Sequence, residues 1–329
     1  MPEQLRTEDF NYQLPEELIA SKPTEKRDGS RMMVIDRTTG SISCHMFNDF
    51  LDFIEDDDLC IFNNTKVVKS RFISDDQKIE ITQLNELEPN VWKCLVKPGK
   101  KMRVGHSIII DGIEGVVEDI LEDGERLIRF EEAINIEKKG KLALPHYMGR
   151  EAEEFDSDRY QTVYAKKPGA IAAPTAGLHF TETHLSNIPH TFITLHVGVG
   201  TFRPVKADLI TDHDMHSEFY EVSKDAADKI NEASRKIAIG TTVTRVLEHL
   251  SQNTNGTIES GAGETSIFIY PGYEFRCVDA LLTNFHLPKS TLFMLVCALA
   301  GQSLMLEAYE KAVKERFRFF SYGDCCLIL

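Results

Sequence analysis

Two histidines lie in stretches rich in small residues, and their side chains could transfer protons. His179 closes the run PGAIAAPTAGLHF (Pro168–Phe180), and His196 opens the run HVGVG. Histidine binds or releases a proton near neutral pH, so both are candidates for general acid–base catalysis. Glycine and proline shape such loops and leave room for a ligand, whereas their few apolar side chains bury little surface. A histidine that only bridges backbone groups is the alternative interpretation for either position.

A second pair of histidines lies among carboxylates in the segment DHDMHSE (Asp212–Glu218). His213 and His216 are further candidate catalytic bases, and Asp214 or Glu218 could orient an imidazole or stabilise a positive charge. Their i, i+3 spacing offers only two metal ligands, and the chain has no CxxC pair and no HExxH motif. We therefore expect no catalytic metal.

Polar residues follow several short apolar runs. Such runs predict buried strands, and ligands of α/β proteins bind beyond the carboxyl ends of parallel strands. The candidate substrate-binding residues at these ends and in the glycine-rich loops are Asn64, Lys66, Lys166, Lys167, Thr175, Gly177, Gly198, Gly200, Glu218, Thr241, Thr242, Arg245, Asn284 and His286.

The pattern of apolar residues predicts a discontinuous α/β domain with an inserted all-β domain. Residues 1–66 and 142–329 mix helical periods with short buried strands, whereas residues 67–141 contain short alternating segments between glycine turns. Five or more such segments predict a small, barrel-like domain. Helices are predicted at Lys224–Arg235 and, with an interruption at a central glycine, at Leu292–Arg316.

Composition favours a folded intracellular protein. The chain has 329 residues, of which 42% are hydrophobic, and it begins without an apolar signal region. Its longest apolar run, Leu292–Ala300, is too short to span a bilayer. The seven cysteines form no disulfide or zinc pattern. We expect reduced thiols, no membrane association and a cytoplasmic location.

The net charge of −15 argues against broad, nonspecific binding of nucleic acid, because phosphate contacts supply most of that affinity. A nucleic-acid partner would need a local basic face. Candidates are Lys97–Arg103, Lys138–Lys141 and the pair Lys166 and Lys167. The last pair lies in the loop richest in motifs, which favours contact with phosphate or substrate. For the other clusters, ordinary solvated charge is an equally good interpretation.

Long motifs follow one another along nearly the whole chain. They are NNTK, YQTVYAKKPGAIAAPTAGLHF, TLHVGVGTFRPV, DHDMHSE, IGTT with Arg245, IFIYPGYEF, DALLTNFHLPKSTL and FRFFSYGD. This ordered set resembles the S-adenosylmethionine:tRNA ribosyltransferase-isomerases, which act in queuosine biosynthesis. The resemblance implies an α/β domain with an inserted all-β domain. It also implies transfer of the ribosyl group of S-adenosylmethionine onto 7-aminomethyl-7-deazaguanine at the tRNA wobble position, giving epoxyqueuosine with release of adenine and methionine.

The implied chemistry makes specific demands on the site. The sulfonium of S-adenosylmethionine acidifies the 5′ hydrogens, so a base is required, and His179, His196, His213 and His216 are the candidates. Threonines 175, 241 and 242 could bind the ribose hydroxyls, and Asn284 could bind a ring nitrogen of adenine. The resemblance implies no tightly bound cofactor, with S-adenosylmethionine and tRNA as substrates of a protein that we expect to be a monomer.

Two departures from the family pattern bear on activity. Members commonly have arginine where this chain has Lys66, which keeps the charge but loses the planar fork that binds two oxygens. The common Gly-Thr-Thr-Ser-Val-Arg is here Gly-Thr-Thr-Val243-Thr244-Arg. A catalytically decayed tRNA-binding relative is therefore the alternative. A Rossmann methyltransferase and a serine hydrolase are disfavoured, because the chain lacks GxGxxG and GxSxG motifs.

Overall fold

The computed structural model describes residues 5–121, 124–198, 200, 205–252 and 254–329. The chain divides into two units. The first consists of the described residues of Met1–Lys66, His146–Arg150 and Asp158–Leu329, and the second of those of Val67–Pro145 and Glu151–Ser157. The chain thus returns from the second unit to the first twice, at His146 and again at Asp158, whereas the sequence predicts a single return at residue 142. Val199 and residues 201–204, which belong to a predicted motif, lie outside the described residues.

The strands and helices are numbered along the chain. The strands are β1 (Arg31–Asp36), β2 (Ser41–Met46), β3 (Asp58–Asn63), β4 (Thr65–Val67), β5 (Arg71–Ile73), β6 (Glu80–Glu88), β7 (Val91–Lys97), β8 (Ser107–Ile110), β9 (Ile113–Ile120), β10 (Arg126–Phe130), β11 (Lys167–Ala170), β12 (His190–Leu195), β13 (Glu218–Val222), β14 (Arg235–Ile239), β15 (Gly261–Thr265), β16 (Ala280–Asn284) and β17 (Cys325–Ile328). The α-helices are α1 (Ile136–Lys139), α2 (Asp156–Arg159), α3 (Glu182–Ser186), α4 (Lys224–Glu232), α5 (Thr241–Ser251), α6 (Thr291–Ala300) and α7 (Gln302–Lys314).

The first unit contains a large mixed sheet, as the α/β prediction requires. In the described part of the chain its strand order is β15-β13-β12-β3-β14-β16-β17-β1-β2. Strands β12, β3, β14 and β16 run parallel to their neighbours in this central group. Their carboxyl ends therefore share one edge of the sheet. Strands β4 and β11 form a separate two-stranded ribbon.

The sheet is covered on both faces, which explains why its central strands are apolar throughout. On β3, Leu59 and Ile61 join the core formed with helices α4 to α7, whereas Cys60 and Phe62 join a smaller core on the other face. Phe180 packs edge-on against Phe62 in that smaller core, with ring centroids 4.8 Å apart. Because both faces are buried, β3 can place polar groups toward a ligand only at its end.

The second unit is built on an antiparallel sheet in the order β5-β6-β7-β10-β9-β8. Trp92 lies at its core, with its ring centroid 4.9 Å from those of Phe72 and Phe130. Just after β5, the Asp75 N–H donates to the Ile109 carbonyl of β8 at 2.8 Å. This bond joins the two edge strands of the sheet, as in a nearly closed barrel.

Two predicted helices form, with one boundary corrected. Helix α4 begins at the Ser223 cap, whose hydroxyl accepts from Ala226 N–H at 3.2 Å, but it ends at Glu232 rather than Arg235. The prediction was wrong there because Arg235 already belongs to β14. The predicted interruption at Gly301 is confirmed: this residue has φ +90° and separates α6 from α7. Among the described residues, no single helix is long and apolar enough to cross a membrane; only α6 and α7 together, bent by 117°, reach that length and composition.

A buried carboxylate on α5 fixes the approach to β16. The Glu248 side chain is fully buried and accepts four hydrogen bonds. One oxygen accepts from the N–H groups of Cys277 and Val278 at 3.1 and 2.8 Å. The other accepts from the Tyr273 hydroxyl at 3.1 Å and the Arg276 N–H at 3.0 Å. These bonds satisfy backbone donors that the strand ladder does not reach.

Replacing this carboxylate should therefore unfold the protein more easily. In Glu248→Gln the amide nitrogen cannot accept, so two donors lose their partner. We expect the free energy of unfolding, measured in urea, to fall by roughly 2 to 4 kcal/mol. The control is Glu259→Gln, which removes an equal charge at an exposed position. Equal unfolding midpoints for the two variants would contradict the assignment.

Candidate active site

A cleft opens at the edge where the central parallel strands end. Its open volume is about 550 Å³, and the predicted residues Thr175, Thr241, Thr242, Asn284 and His286 all line it. They come from segments that are distant in the sequence and that meet because β14 and β16 are neighbours. The structure therefore brings together these five of the residues predicted to bind substrate.

The amino end of α5 faces this cleft. The capping residue Gly240 has φ +99°, a conformation that favours glycine, and no side chain caps the helix. The first-turn N–H groups of an α-helix have no partner within the helix, and its amino end carries partial positive charge. This end of the cleft is therefore suited to an anionic or strongly polar group.

The predicted base His179 is buried beside the cleft with both ring nitrogens engaged. Nδ1 lies 3.0 Å from the Ser30 hydroxyl, and Nε2 lies 3.2 Å from Asn284 Oδ1. The Asn284 amide nitrogen donates to the carbonyls of Phe320 and Ser321, which fixes Oδ1 as an acceptor. Nε2 of His179 therefore carries the proton, and Nδ1 accepts from Ser30. Burial lowers the pKa of His179 to about 4. This arrangement favours a neutral, structural imidazole.

The same network limits what Asn284 can do. Its amide nitrogen already donates to two protein carbonyls, so a ring nitrogen of adenine would have to displace one of these bonds. His286 is also neutral, because burial lowers its pKa to about 3. Its Nε2 lies 3.0 Å from the Thr283 hydroxyl.

His196 has one engaged and one open ring nitrogen. Its Nδ1 lies 2.7 Å from Thr65 Oγ1, and Nε2 has no hydrogen-bond partner among the described residues. Phe219 stacks on the ring at 18° between planes. A Cβ on Gly169 would lie 2.8 to 2.9 Å from three ring atoms, so only glycine allows this chain segment over the imidazole. Burial lowers the pKa of His196, the nearby Lys167 acts in the same direction, and Glu221 opposes them.

Asn63, which the sequence analysis did not select, joins the strands that carry this histidine. Its amide oxygen accepts from the N–H groups of Thr65 and Leu195 at 3.1 and 3.0 Å, and its amide nitrogen donates to the Leu195 carbonyl at 2.9 Å. Thr65 and Gly169 were also missed as individual residues. The available signal was their position inside the NNTK and KKPG motifs.

A buried ion pair fixes the loop after His196. Glu218 accepts from the Gly198 N–H at 3.0 Å with one oxygen and from Arg245 with the other. Arg245 also donates to the carbonyls of Ile267 and Thr265. Both charged side chains are only 6% exposed. These predicted residues therefore shape the loop around Gly198, which follows the cleft residue Val197.

The remaining predicted residues make contacts outside the lining of the cleft. Gly200 lies against the ring of His216, because a Cβ there would be 2.5 Å from the imidazole. His213 is half-buried with its ring edge-on to Phe268, and burial lowers its pKa. Gly177 lies against Tyr164, where no Cβ would fit, which indicates a packing role.

The predicted lysines lie on and beside the β4–β11 ribbon. Lys66 and Lys166 are exposed and have no carboxylate partner in the described part of the chain. Lys167 pairs with Glu221 at 2.5 Å. Asn64 holds the ribbon, since its carbonyl accepts from the N–H groups of both Lys166 and Lys167. In the second unit, the predicted basic residues Lys138 and Lys139 both pair with Asp111.

The described residues contain no group of three or more histidine, cysteine, aspartate or glutamate side chains that could hold a metal ion. The cleft is lined by hydroxyls and a helix terminus, and His196 with its open ring nitrogen precedes the lining residue Val197. Such a site can bind a polar small molecule and move a proton.

Comparison with known proteins assigns the chain to a family. The family described as "Queuosine biosynthesis protein" matches residues 7–328. The S-adenosylmethionine:tRNA ribosyltransferase-isomerase of Halothermothrix orenii is 46% identical, over 99% of this chain and all of that protein. The protein of that name from Acetivibrio thermocellus is 45% identical, over 98% of this chain and all of its own.

A solved structure agrees with these relatives. The crystal structure of the S-adenosylmethionine tRNA ribosyltransferase from Thermotoga maritima is 37% identical to this chain, covers 98% of it and 100% of the solved chain, and superimposes with a TM-score of 0.57. The order of the motifs, the mixed sheet with its second β unit and these full-length matches agree. The chain therefore belongs to the family of queuosine biosynthesis proteins.

Proposed function

We propose that this chain is an S-adenosylmethionine:tRNA ribosyltransferase-isomerase. It transfers the ribosyl group of S-adenosylmethionine to 7-aminomethyl-7-deazaguanine at the wobble position of tRNA, and it isomerises that group to give epoxyqueuosine. The observation that carries the proposal is identity of 44 to 46% over essentially the full length of relatives with that name. The enzyme acts in the cytoplasm as a monomer, without a tightly bound cofactor.

We assign the cleft at the strand ends to S-adenosylmethionine. Its lining of small apolar residues with a few convergent hydroxyl and amide groups is typical of small-molecule sites. The methionine carboxylate is the only anionic group of this substrate, and the uncapped amino end of α5 suits it. The hydroxyls of Thr175, Thr241 and Thr242 can pair with the ribose hydroxyls.

We assign the removal of the 5′ proton to His196. Its neighbour Val197 lines the cleft, so the segment that carries His196 runs beside the proposed substrate site. A lowered pKa keeps the ring neutral at pH 7, and a neutral Nε2 with a free lone pair can accept a proton. The resulting carbanion is stabilised by the adjacent sulfonium. His179 instead holds Asn284 at the wall of the cleft.

The proposed reaction predicts specific products. Purified protein should release adenine and methionine from S-adenosylmethionine, in proportion to the tRNA modified, when the tRNA carries 7-aminomethyl-7-deazaguanine. The same tRNA with guanine at that position is the control and should release neither. Methyl transfer with an intact ribose would contradict the proposal. Binding of tRNA without adenine release would support the catalytically decayed alternative.

The second prediction separates the two central histidines. His196→Ala should lower kcat by about 10² to 10⁴ and abolish exchange of the 5′ hydrogens with deuterated water, while affinity for S-adenosylmethionine stays close to wild type. His179→Ala should instead lower the melting temperature, because it empties a buried site and leaves Asn284 Oδ1 unpaired. Isotope exchange by mass spectrometry and thermal melting measure the two effects.

The pH dependence follows from the same assignment. Because the pKa of His196 is lowered from 6.5, its ring stays unprotonated to a lower pH than that of an unperturbed histidine. The wild-type rate should therefore fall only under correspondingly more acidic conditions.

If the His179 and His196 variants both exchange the 5′ hydrogens like wild type, then the base lies elsewhere, and His213 and His216 are the next candidates.

A further prediction concerns the two lysines on and beside β11. We propose that Lys166 and Lys167 contact tRNA phosphate. Each contact removed by substitution with alanine should flatten the slope of log affinity against log salt by about 0.7 to 0.9. Lys166→Ala should have the larger effect, because Lys167 is already paired with Glu221. Lys314→Ala, which removes an equal charge at an exposed position on α7, is the control. An unchanged slope in the Lys166→Ala, Lys167→Ala double variant would show that neither lysine contacts tRNA phosphate.

A further inference from the structure

Three contacts restrain the imidazole of His196, and none of them is a hydrogen bond to Nε2. Its Nδ1 meets the Thr65 hydroxyl, Phe219 stacks on the ring, and the Gly169 backbone lies over it. Thr65 is fully buried, and its own N–H is held by Asn63. The position of Thr65 Oγ1 is therefore set by the backbone at the start of β4, and the ring must meet it there.

The direction of the hydrogen bond between Thr65 and His196 decides what the histidine can do. If the hydroxyl donates to Nδ1, then Nε2 carries the proton and can only donate to a ligand. If Nδ1 donates to the hydroxyl, then Nε2 presents a lone pair and can act as a base. The 2.7 Å distance suits either direction.

A second acceptor is available to Thr65. Its Oγ1 lies 3.5 Å from the carbonyl oxygen of Lys167 on the adjoining ribbon strand. A carbonyl oxygen can only accept a hydrogen bond. When the Thr65 hydroxyl donates its proton to the Lys167 carbonyl, the lone pairs of Oγ1 can accept from Nδ1 of His196. The hydroxyl can donate to the carbonyl and accept from Nδ1 at the same time.

We propose that Thr65 is a positioning residue that holds His196 in the tautomer with a proton on Nδ1 and a free lone pair on Nε2. This inference rests on the proposed function, in which Nε2 accepts the 5′ proton. When Nε2 is protonated, the Nδ1–H to Thr65 bond remains in place, so no group at the site needs to turn. Thr65 is neutral, and this arrangement therefore orients the base without adding a negative charge beside it.

The first test reads the tautomer without any turnover. The protein is labelled with ¹⁵N-histidine, and the His196 signals are assigned from their loss in His196→Gln. In wild type we expect a protonated Nδ1 and an unprotonated Nε2 near neutral pH. Thr65→Val removes the hydroxyl with little change of shape and should shift the signals toward a mixture, whereas Thr65→Ser should restore the wild-type pattern. Thr191→Val, which removes another buried hydroxyl on β12, is the control.

The second test is kinetic. Loss of one orienting hydrogen bond should lower kcat of Thr65→Val roughly five- to tenfold, with unchanged affinity for S-adenosylmethionine and with recovery in Thr65→Ser. The inference is overturned if wild type carries the proton on Nε2, or if Thr65→Val leaves the tautomer unchanged. It is also overturned if the Val and Ser variants lose activity and melting temperature equally. Should wild type release no adenine at all, the proposed function fails, but the nitrogen signals still decide the role of Thr65.

Discussion

The buried side-chain amide of Asn63 joins the ends of β3 and β12. It forms two hydrogen bonds with the backbone of Leu195 and one with the N–H of Thr65. His196 follows Leu195 directly, and Thr65 begins the ribbon that covers the histidine. One amide therefore sets both the strand that carries the imidazole and the residue that orients it. Because Asn63 is inaccessible to water, each of these bonds would be costly to leave unmade.

The ion pair between Glu218 and Arg245 extends this control to the next loop. A buried ion pair is weak evidence for stability, since the cost of desolvating two charges can exceed their attraction. Its value here is geometric. Glu218 also accepts from the Gly198 N–H, and Arg245 also donates to the backbone carbonyl of Thr265 at the end of β15 and to that of Ile267 beyond it. The pair links three segments, so these charges help to fix the loop at Gly198, next to the buried Val197.

Much of the architecture could be predicted from local patterns. The run Leu59–Phe62 is apolar because β3 is buried on both faces, and the interruption at Gly301 could be read from a residue that tolerates positive φ. The end of α4 could not be predicted in this way. Ala233 continues the apolar face of the helix in the sequence, whereas Arg235 belongs to β14. Tertiary pairing outweighed helix periodicity at that point.

The roles of the two histidines could not be predicted, because His179 and His196 have similar neighbours in the sequence. What separates them are contacts with residues more than a hundred positions away. His179 meets Ser30 and Asn284, which engage both nitrogens, whereas His196 meets Thr65 at one nitrogen only. Burial is complete for the first, whose pKa it lowers to about 4, and partial for the second, whose pKa it also lowers. Two identical side chains thus acquire different chemistry from the number of hydrogen bonds that the fold leaves open.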